Sequence, residues 1–333
     1  MAEVRGVPSA RGDETGRPDI IGLGEAMVLF QPPAGAALDD TATIEVHVAG
    51  AEINLCAAAA RLGAVTGFCS RVGADPLGAR VLAEARALGV DTTLVAVDED
   101  HPTGLFLKDV RPDGQRRVYY YRRGSAASQL DRDDAARLVA ARPRLVAVSG
   151  VTLALGPGPR AAVGTVVRAA RAAGIAVAFD PNLRPALGPV EQQAADARAM
   201  LGYVDFLLLG TDEAGPLLGV RDPTDPDEVF AAAAKTGVRE TVLKAGPDGC
   251  YHSATDGTAV HLPSLATTVV DPVGAGDAFA GGYLTARLHG ATPAGAAWLG
   301  SVLAAGVIAA PGDTTGLPDR SSAASLLDES LNA

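Results

Sequence analysis

Short apolar runs alternate with helical patterns along most of the chain, and this alternation limits the fold more than any other feature. Residues 20–23, 65–72, 145–149, 175–179, 204–209 and 241–244 read as buried strands, with 92–97 as a further one. Residues 51–62, 77–88, 157–173, 190–201, 225–236 and 293–309 carry helical spacing, with Gly63 and Gly89 as stops. Repeated strand–helix units imply an α/β fold, with a mainly parallel sheet flanked by helices on both faces. Ligands bind such sheets at the C-terminal ends of the strands. Asp180, Asn182, Arg184, Glu213, Gly246 and the stretch 274–277 all follow strands, so they are expected to share one edge.

One of these stretches carries distinctive chemistry. Asp271-Pro272-Val273-Gly274-Ala275-Gly276-Asp277 follows a β-branched run, 267–270, that reads as a short strand. An apolar helical pattern starts at Asp277 and ends at Gly290. A glycine turn that opens a helix presents free N–H groups, and the helix dipole favours anions there. Asp277 lies where the anion would sit. That arrangement is poor for storing phosphate. It suits a base that deprotonates a nucleophile while the amides hold charge on a phosphoryl group in transfer. Taken alone, G-A-G-D reads equally well as a capped helix start.

The strand–helix rhythm breaks in two places. In residues 34–50, Thr41, Thr43, Ile44, Val46 and Val48 alternate with polar residues. Residues 103–110 and 117–122 flank the turn Arg111-Pro112-Asp113-Gly114-Gln115 and read as a β-hairpin. Together, about 34–50 and 103–123 are expected to form a small projecting sheet that acts as a lid and keeps water from a phosphoryl donor. Alternation puts Tyr119 and Tyr121 on one face and Tyr120 with Arg122 on the other.

Several function classes are disfavoured. Gly22-Leu23-Gly24-Glu25-Ala26-Met27 is an incomplete dinucleotide fingerprint, and the chain after it continues extended. No G-x-x-x-x-G-K-[ST] or G-x-S-x-G motif occurs. A net charge of −11 argues against a nucleic-acid surface, and no apolar run reaches the length of a membrane span. Cys56, Cys69 and Cys250 are scattered in apolar contexts and read as buried thiols of a cytoplasmic protein. Residues 1–18 are polar, lack an apolar signal core and read as a disordered tail, with the domain spanning 19–333.

Residues 271–284 resemble the C-terminal signature of the ribokinase-like (PfkB) carbohydrate kinases: Asp-Pro-x-Gly-Ala-Gly-Asp, three residues, then Gly-Gly-Tyr-Leu. Residues 50–63 resemble the family's N-terminal glycine motif and helix, and 71–78 its V-G-x-D-x-x-G element. Within the family, 118–128, Asp180-Pro181-Asn182-Leu183-Arg184 and 311–318 look like 2-keto-3-deoxygluconate kinases.

The resemblance implies a ribokinase-like domain that transfers the γ-phosphoryl group of ATP to the terminal hydroxyl of a sugar acid. Asp277 would be the base, and the amides of Gly274, Ala275 and Gly276 the anion hole. Gly50, Asn54, Phe106, Tyr120, Arg122, Val151, Arg184 and Asp313 would meet the sugar. Asn182, Arg184, Lys244, Gly246, Gly249, Ala280 and Tyr283 would line the ATP site. Mg²⁺ would travel mainly on the ATP phosphates, with Glu213 reaching it through water, and a monovalent cation would be compatible. The lid would also pair subunits into a homo-oligomer.

The residues support an acid substrate on their own terms, because guanidinium groups bind carboxylates in bidentate fashion. Arg122 and Arg184 are the candidates. The sequence also departs from the family pattern. Ala49-Gly50 stands for a Gly-Gly pair, Gly210 for the Asn of N-x-x-E, and Phe106 for a frequent Tyr. A neutral-sugar or nucleoside kinase therefore stays open, as does a catalytically silent sugar- or nucleotide-binding protein.

Overall fold

The computed structural model describes residues 16–33, 36–110, 116–253 and 258–333. The main sheet runs in the order β14 (Ala259–Leu262), β13 (Cys250–Ser253), β12 (Glu240–Lys244), β11 (Phe206–Gly210), β10 (Ala176–Asp180), β9 (Leu145–Ser149), β1 (Ile20–Leu23), β4 (Thr66–Gly73), β5 (Val90–Asp91). β6 (Val95–Asp98) also pairs with β4. Pairing is parallel from β12 through β5 and antiparallel for β12–β13 and β13–β14.

Parallel strands covered on both faces must be apolar at every position. Ile20 and Ile21, Leu145 and Val146, Ala178 and Phe179, and Leu207 and Leu208 accordingly divide between two cores. One core takes in α1 (Ala51–Arg61), α2 (Pro76–Ala87), α9 (Ala275–Leu288), α10 (Pro293–Ile308) and α11 (Arg320–Asn332). The other takes in α3 (Arg132–Ala140), the one-turn α4 (Gly150–Leu153), α5 (Pro157–Ala173), α6 (Val190–Arg198), α7 (Thr211–Leu218) and α8 (Pro226–Lys235).

α9 is sandwiched tightly between α1 and α10. A Cβ on Gly281 would stand 2.6 Å from the Leu55 carbonyl oxygen, and one on Gly282 3.1 Å from Gly300 Cα. The paired glycines let the helix backbones approach, and this fixes where the first turn of α9 points.

The second sheet runs in the order β3 (Glu45–Ala49), β2 (Met27–Gln31), β7 (Leu105–Val110), β8 (Arg116–Tyr121). β2, the extended run after Glu25, belongs to this second sheet, in addition to the expected parts within about 34–50 and 103–123. Within 36–50 only β3 is a strand. Tyr119 and Tyr121 are exposed, at 43% and 61%, while Arg122 is buried, as the alternation predicts.

Other expectations change. Residues 267–270 form no strand: Val269 and Val270 are exposed, and the amides of Val270 and Asp271 reach back to the Ile308 carbonyl at 2.8 and 3.1 Å. Local β propensity is overridden there by these backbone contacts to the end of α10. Of the strand expected over 92–97 only 95–97 is strand, as part of β6; β5 ends before it and 92–94 belong to neither. Within the expected tail, Arg17 Nε donates to the Arg142 carbonyl at 2.9 Å. The rest of the expected tail, residues 1–15, and the hairpin turn 111–115 lie outside the described residues. All three cysteines are buried and free.

Candidate active site

At the C-terminal ends of the strands Asp180 of β10 is level with Ser149 of β9, and Gly210 of β11 is level with Lys244 of β12, two residues further along. The N-terminus of α9 meets the same edge. Gly274 precedes α9 with φ +80°, a left-handed conformation that suits glycine, and no side chain caps the helix. Its first-turn amides therefore stay available for an anion. Asp277 is not the cap that an isolated G-A-G-D allows. A Cβ on Gly276 would stand 3.5 Å from Lys244 Nζ, so a cation borders the turn.

Asp277 is half-buried, and Asn54 Nδ2 donates to its Oδ2 at 2.9 Å. Burial pushes its carboxyl up to about 8, helped by the nearby Asp180 and Asp313; the Asn54 bond and Lys244 oppose the rise. A carboxyl near neutrality is matched to proton abstraction at working pH. Asn54 Nδ2 also donates to Asp313 Oδ2 at 3.1 Å. Asp313 is buried, its pKa is raised chiefly by burial, and its Oδ1 has no partner among the described residues. A buried acceptor left open beside Asp277 is a place for a ligand hydroxyl.

One face of the second sheet carries Phe106 and Tyr120, with Arg122 just past the end of β8. The rings of Phe106 and Tyr120 meet at a tilt of 37° with centres 5.7 Å apart, and the Arg122 guanidinium lies 5.5 Å from the Tyr120 ring centre. Ala49, the departure from Gly-Gly, packs with Met27, Leu29 and Phe106 in the lid's own small core. Arg122 Nε donates to Glu25 Oε2 at 2.7 Å, and Ser125 Oγ donates to Glu25 Oε1 at 2.5 Å. Arg122 Nη2 lies against the same carboxylate without a hydrogen-bond angle, which leaves its protons for another acceptor. Gly50 is required by space: a Cβ there would stand 2.3 Å from the Glu25 carbonyl oxygen. Val151 is half-buried in α4, just past β9.

The expected nucleotide residues separate into two groups. Lys244 pairs with Asp180; burial alone would lower its pKa, but Asp180 and Glu213 outweigh this and hold it up. Asn182 has φ +41°, rare outside glycine, and its buried Oδ1 has no partner among the described residues. Strain and an open acceptor together mark a functional edge. Arg184 is exposed, with its backbone held by Gln193 through bonds of 2.9 and 2.8 Å. Gly246 and Gly249 have φ +56° and +98° in the loop after β12.

Glu213 accepts the Leu183 and Gly210 amides at 2.7 and 2.6 Å, so both of its oxygens brace the loops around the site. Burial and Asp180 push its carboxyl up to about 7, against Lys244. Ala280 lies one turn below Asp277 and, with Glu52, Ser149 and Asp180, lines a cavity of about 20 Å³, room for one water. Tyr283 stands apart from this group. It is fully enclosed, and its hydroxyl donates to Glu240 at the opposite end of β12.

Sequence reasoning missed three groups here. Glu25 anchors Arg122. Glu52, a buried carboxylate, accepts Ser149 Oγ at 2.6 Å and Thr152 Oγ1 at 2.7 Å. Lys108 pairs with Asp271. Glu25 at the end of an apolar strand and Lys108 within a lid strand were the available signals.

The model of the pfkB family carbohydrate kinases matches residues 18–320. This chain belongs to the pfkB family of carbohydrate kinases. It is 35% identical to the 2-dehydro-3-deoxygluconokinase of Thermoproteus tenax, over 92% of this chain and 94% of that protein. It is 32% identical to the PfkB protein of Polaromonas sp. JS666, whose crystal structure superposes with a TM-score of 0.80 over 92% of this chain and 99% of that one. An uncharacterized sugar kinase from Pyrococcus horikoshii, in complex with ATP, shares the fold at 24% identity and a TM-score of 0.78, over 94% and 100% of the two chains. The fold is thus ribokinase-like, and the protein is a carbohydrate kinase.

Proposed function

We propose that this pfkB-family kinase transfers the γ-phosphoryl group of ATP to the terminal hydroxyl of 2-keto-3-deoxygluconate or a closely similar sugar acid. The observation that carries this reading is Asp277, set beside an uncapped helix N-terminus and held near neutral pKa. Likeness over nearly the whole chain to a 2-dehydro-3-deoxygluconokinase supports the substrate class.

In this reading Asp277 takes the proton of the hydroxyl as its oxygen attacks. The Gly274–Gly276 amides hold the charge on the phosphoryl group, with Lys244 beside them. Asn54 keeps the base oriented, and Asp313 Oδ1 accepts a sugar hydroxyl. Phe106, Tyr120, Gly50 and Val151 shape the sugar pocket. Asn182, Gly246, Gly249 and Ala280 border the nucleotide. Mg²⁺ arrives on ATP and screens its phosphates. The donor set fits that role: among the described residues no cluster of three His, Cys, Asp or Glu could hold a metal, so Glu213 would reach it only through water.

Of the two candidate guanidiniums, Arg122 pairs with Glu25 while the exposed Arg184 stands in none of the described ion pairs, so in this reading Arg184 bears most of the recognition of the acid. The Glu25–Arg122 pair gives the second reading its support. If Arg122's charge is spent on Glu25, a neutral sugar fits the lid equally well. The exposed Tyr119 and Tyr121 suit a subunit contact through the lid. No helix among the described residues is long and apolar enough to cross a membrane, and the three buried thiols fit a reducing cytoplasm.

A phosphorylation screen over 2-keto-3-deoxygluconate, gluconate, fructose, ribose and nucleosides tests the proposal. Turnover concentrated on the 2-keto-3-deoxy acid is expected. Preference for a neutral sugar would replace this reading with the second one.

A further inference from the structure

A buried salt bridge joins the lid to the segment that leads into the glycine turn. Lys108 lies on β7, on the same face as Phe106 two residues earlier, and its Nζ contacts Asp271 Oδ2. Both residues are buried, at 2% and 8% exposure. A lysine is almost never this enclosed without a partner, and removing one member of such a pair leaves an uncompensated charge.

Asp271 organises its own segment. Its Oδ1 accepts the Val273 amide at 3.2 Å, and its amide reaches the Ile308 carbonyl at 3.1 Å. Three residues later Gly274 adopts its left-handed conformation against Asp313, where an added Cβ would stand 2.8 Å away. Asp313 lies close enough to feel both Lys108 and Asp271, and it shares the Asn54 amide with Asp277. Three carboxylates therefore converge on the turn where a polyanionic donor would arrive. Like charges at such separations oppose both one another and the donor, most strongly where water is excluded.

We propose that Lys108 is a built-in monovalent cation, a positioning residue that acts through Asp271 to hold the Gly274–Gly276 turn and screen its carboxylates once the lid is in place. The inference rests on reading that turn as the anion hole. It has a chemical corollary. Truncating Lys108 leaves a cation-sized space with a carboxylate in it, so a small cation from solution can take over.

The test uses the full-length protein in tetramethylammonium buffer, with and without about 100 mM ammonium or potassium chloride. Lys108→Ala is expected to lose roughly tenfold to a hundredfold in kcat, with KM for the sugar changed less than about threefold, and to recover several-fold with ammonium. Lys108→Met fills the space and is expected to stay low with either salt. The wild type should respond less than about twofold. Melting curves without substrate give a readout independent of turnover: ammonium should raise the Tm of Lys108→Ala and leave that of Lys108→Met unchanged.

If Lys108→Ala folds poorly, the charge-free pair Lys108→Met with Asp271→Asn serves in its place. It is expected to melt near the wild type while kcat stays low. Near-wild-type kcat in either variant overturns the proposal, and so does a loss in Lys108→Ala that no small cation restores in rate or in melting. If the wild type moves no phosphoryl group to any acceptor while Lys108→Ala still binds ammonium, the anion-hole reading fails and the cation site stands.

Discussion

Asn54 Nδ2 lies 2.9 Å from Asp277 Oδ2, so a side chain of α1 holds the carboxylate presented by α9, although 223 positions separate them. The bond favours the ionised carboxylate, against the burial that pushes Asp277 up to about 8. Asn54→Ala should therefore make Asp277 harder to ionise. The acid limb of kcat/KM is expected to move to higher pH than in the wild type, and activity at pH 7 to fall by roughly tenfold. A pH–rate profile of the two proteins checks this; an unmoved limb would separate Asn54 from the base.

Asp277→Asn should abolish most turnover, by about three orders of magnitude, while ATP still shifts the melting temperature. The same change should stabilise the protein at alkaline pH. The folded carboxyl at about 8 lies above its ordinary 3.8, so the folded state binds the proton more tightly than the unfolded chain. Wild-type stability from this group is fully present at low pH and is lost as pH rises from about 4 to about 8. The Tm advantage of Asp277→Asn should grow over that window, reaching a few degrees in a chain of this size.

Gly274→Ala places a Cβ 2.8 Å from Asp313 at φ +80°. Backbone strain of about 1–3 kcal/mol is expected in thermal unfolding. Turnover should fall more than ATP affinity, because the amides would be re-aimed while the rest of the nucleotide surface is kept.

Glu25→Ala leaves Arg122 buried without its carboxylate and should destabilise the fold by about 3–5 kcal/mol in urea unfolding. Adding Arg122→Met should restore much of that loss. Strict additivity of the two changes would mean that the pair does not tie the lid to the body.

Tyr283→Phe removes the hydroxyl that donates to Glu240 and should cost about 1–2 kcal/mol. KM for ATP should be unchanged, since the ring is enclosed by the core. A raised KM would return Tyr283 to the nucleotide surface.

Local chemistry made much of the fold legible. The buried strands announced themselves as short apolar runs because both faces of a parallel strand must be apolar. The helices over 51–62, 157–173 and 293–309 could be read to within a residue or two, because spacing and glycine stops are properties of contiguous sequence. The edge hairpin β13–β14 and the helices α3, α7 and α11 were not seen. Their patterns are short or polar, and only packing against the sheet stabilises them. The valines over 267–270 misled for the converse reason: their strand propensity was real, but the backbone there bonds to the Ile308 carbonyl at the end of α10 instead of to a strand.

For the site, the chain alone determined the reaction class. The glycine turn, its following carboxylate and the strand-end polar residues are local motifs whose geometry follows from a few adjacent torsions. Which charges neutralise one another depended on long-range folding. Asn54 meeting Asp277 and Asp313, Arg122 meeting Glu25, and Lys108 meeting Asp271 each join segments that are 97 to 259 positions apart. No periodicity encodes such meetings. They exist because crossover connections return distant strand ends and the lid to one edge of the sheet, where burial obliges every charge to find a partner.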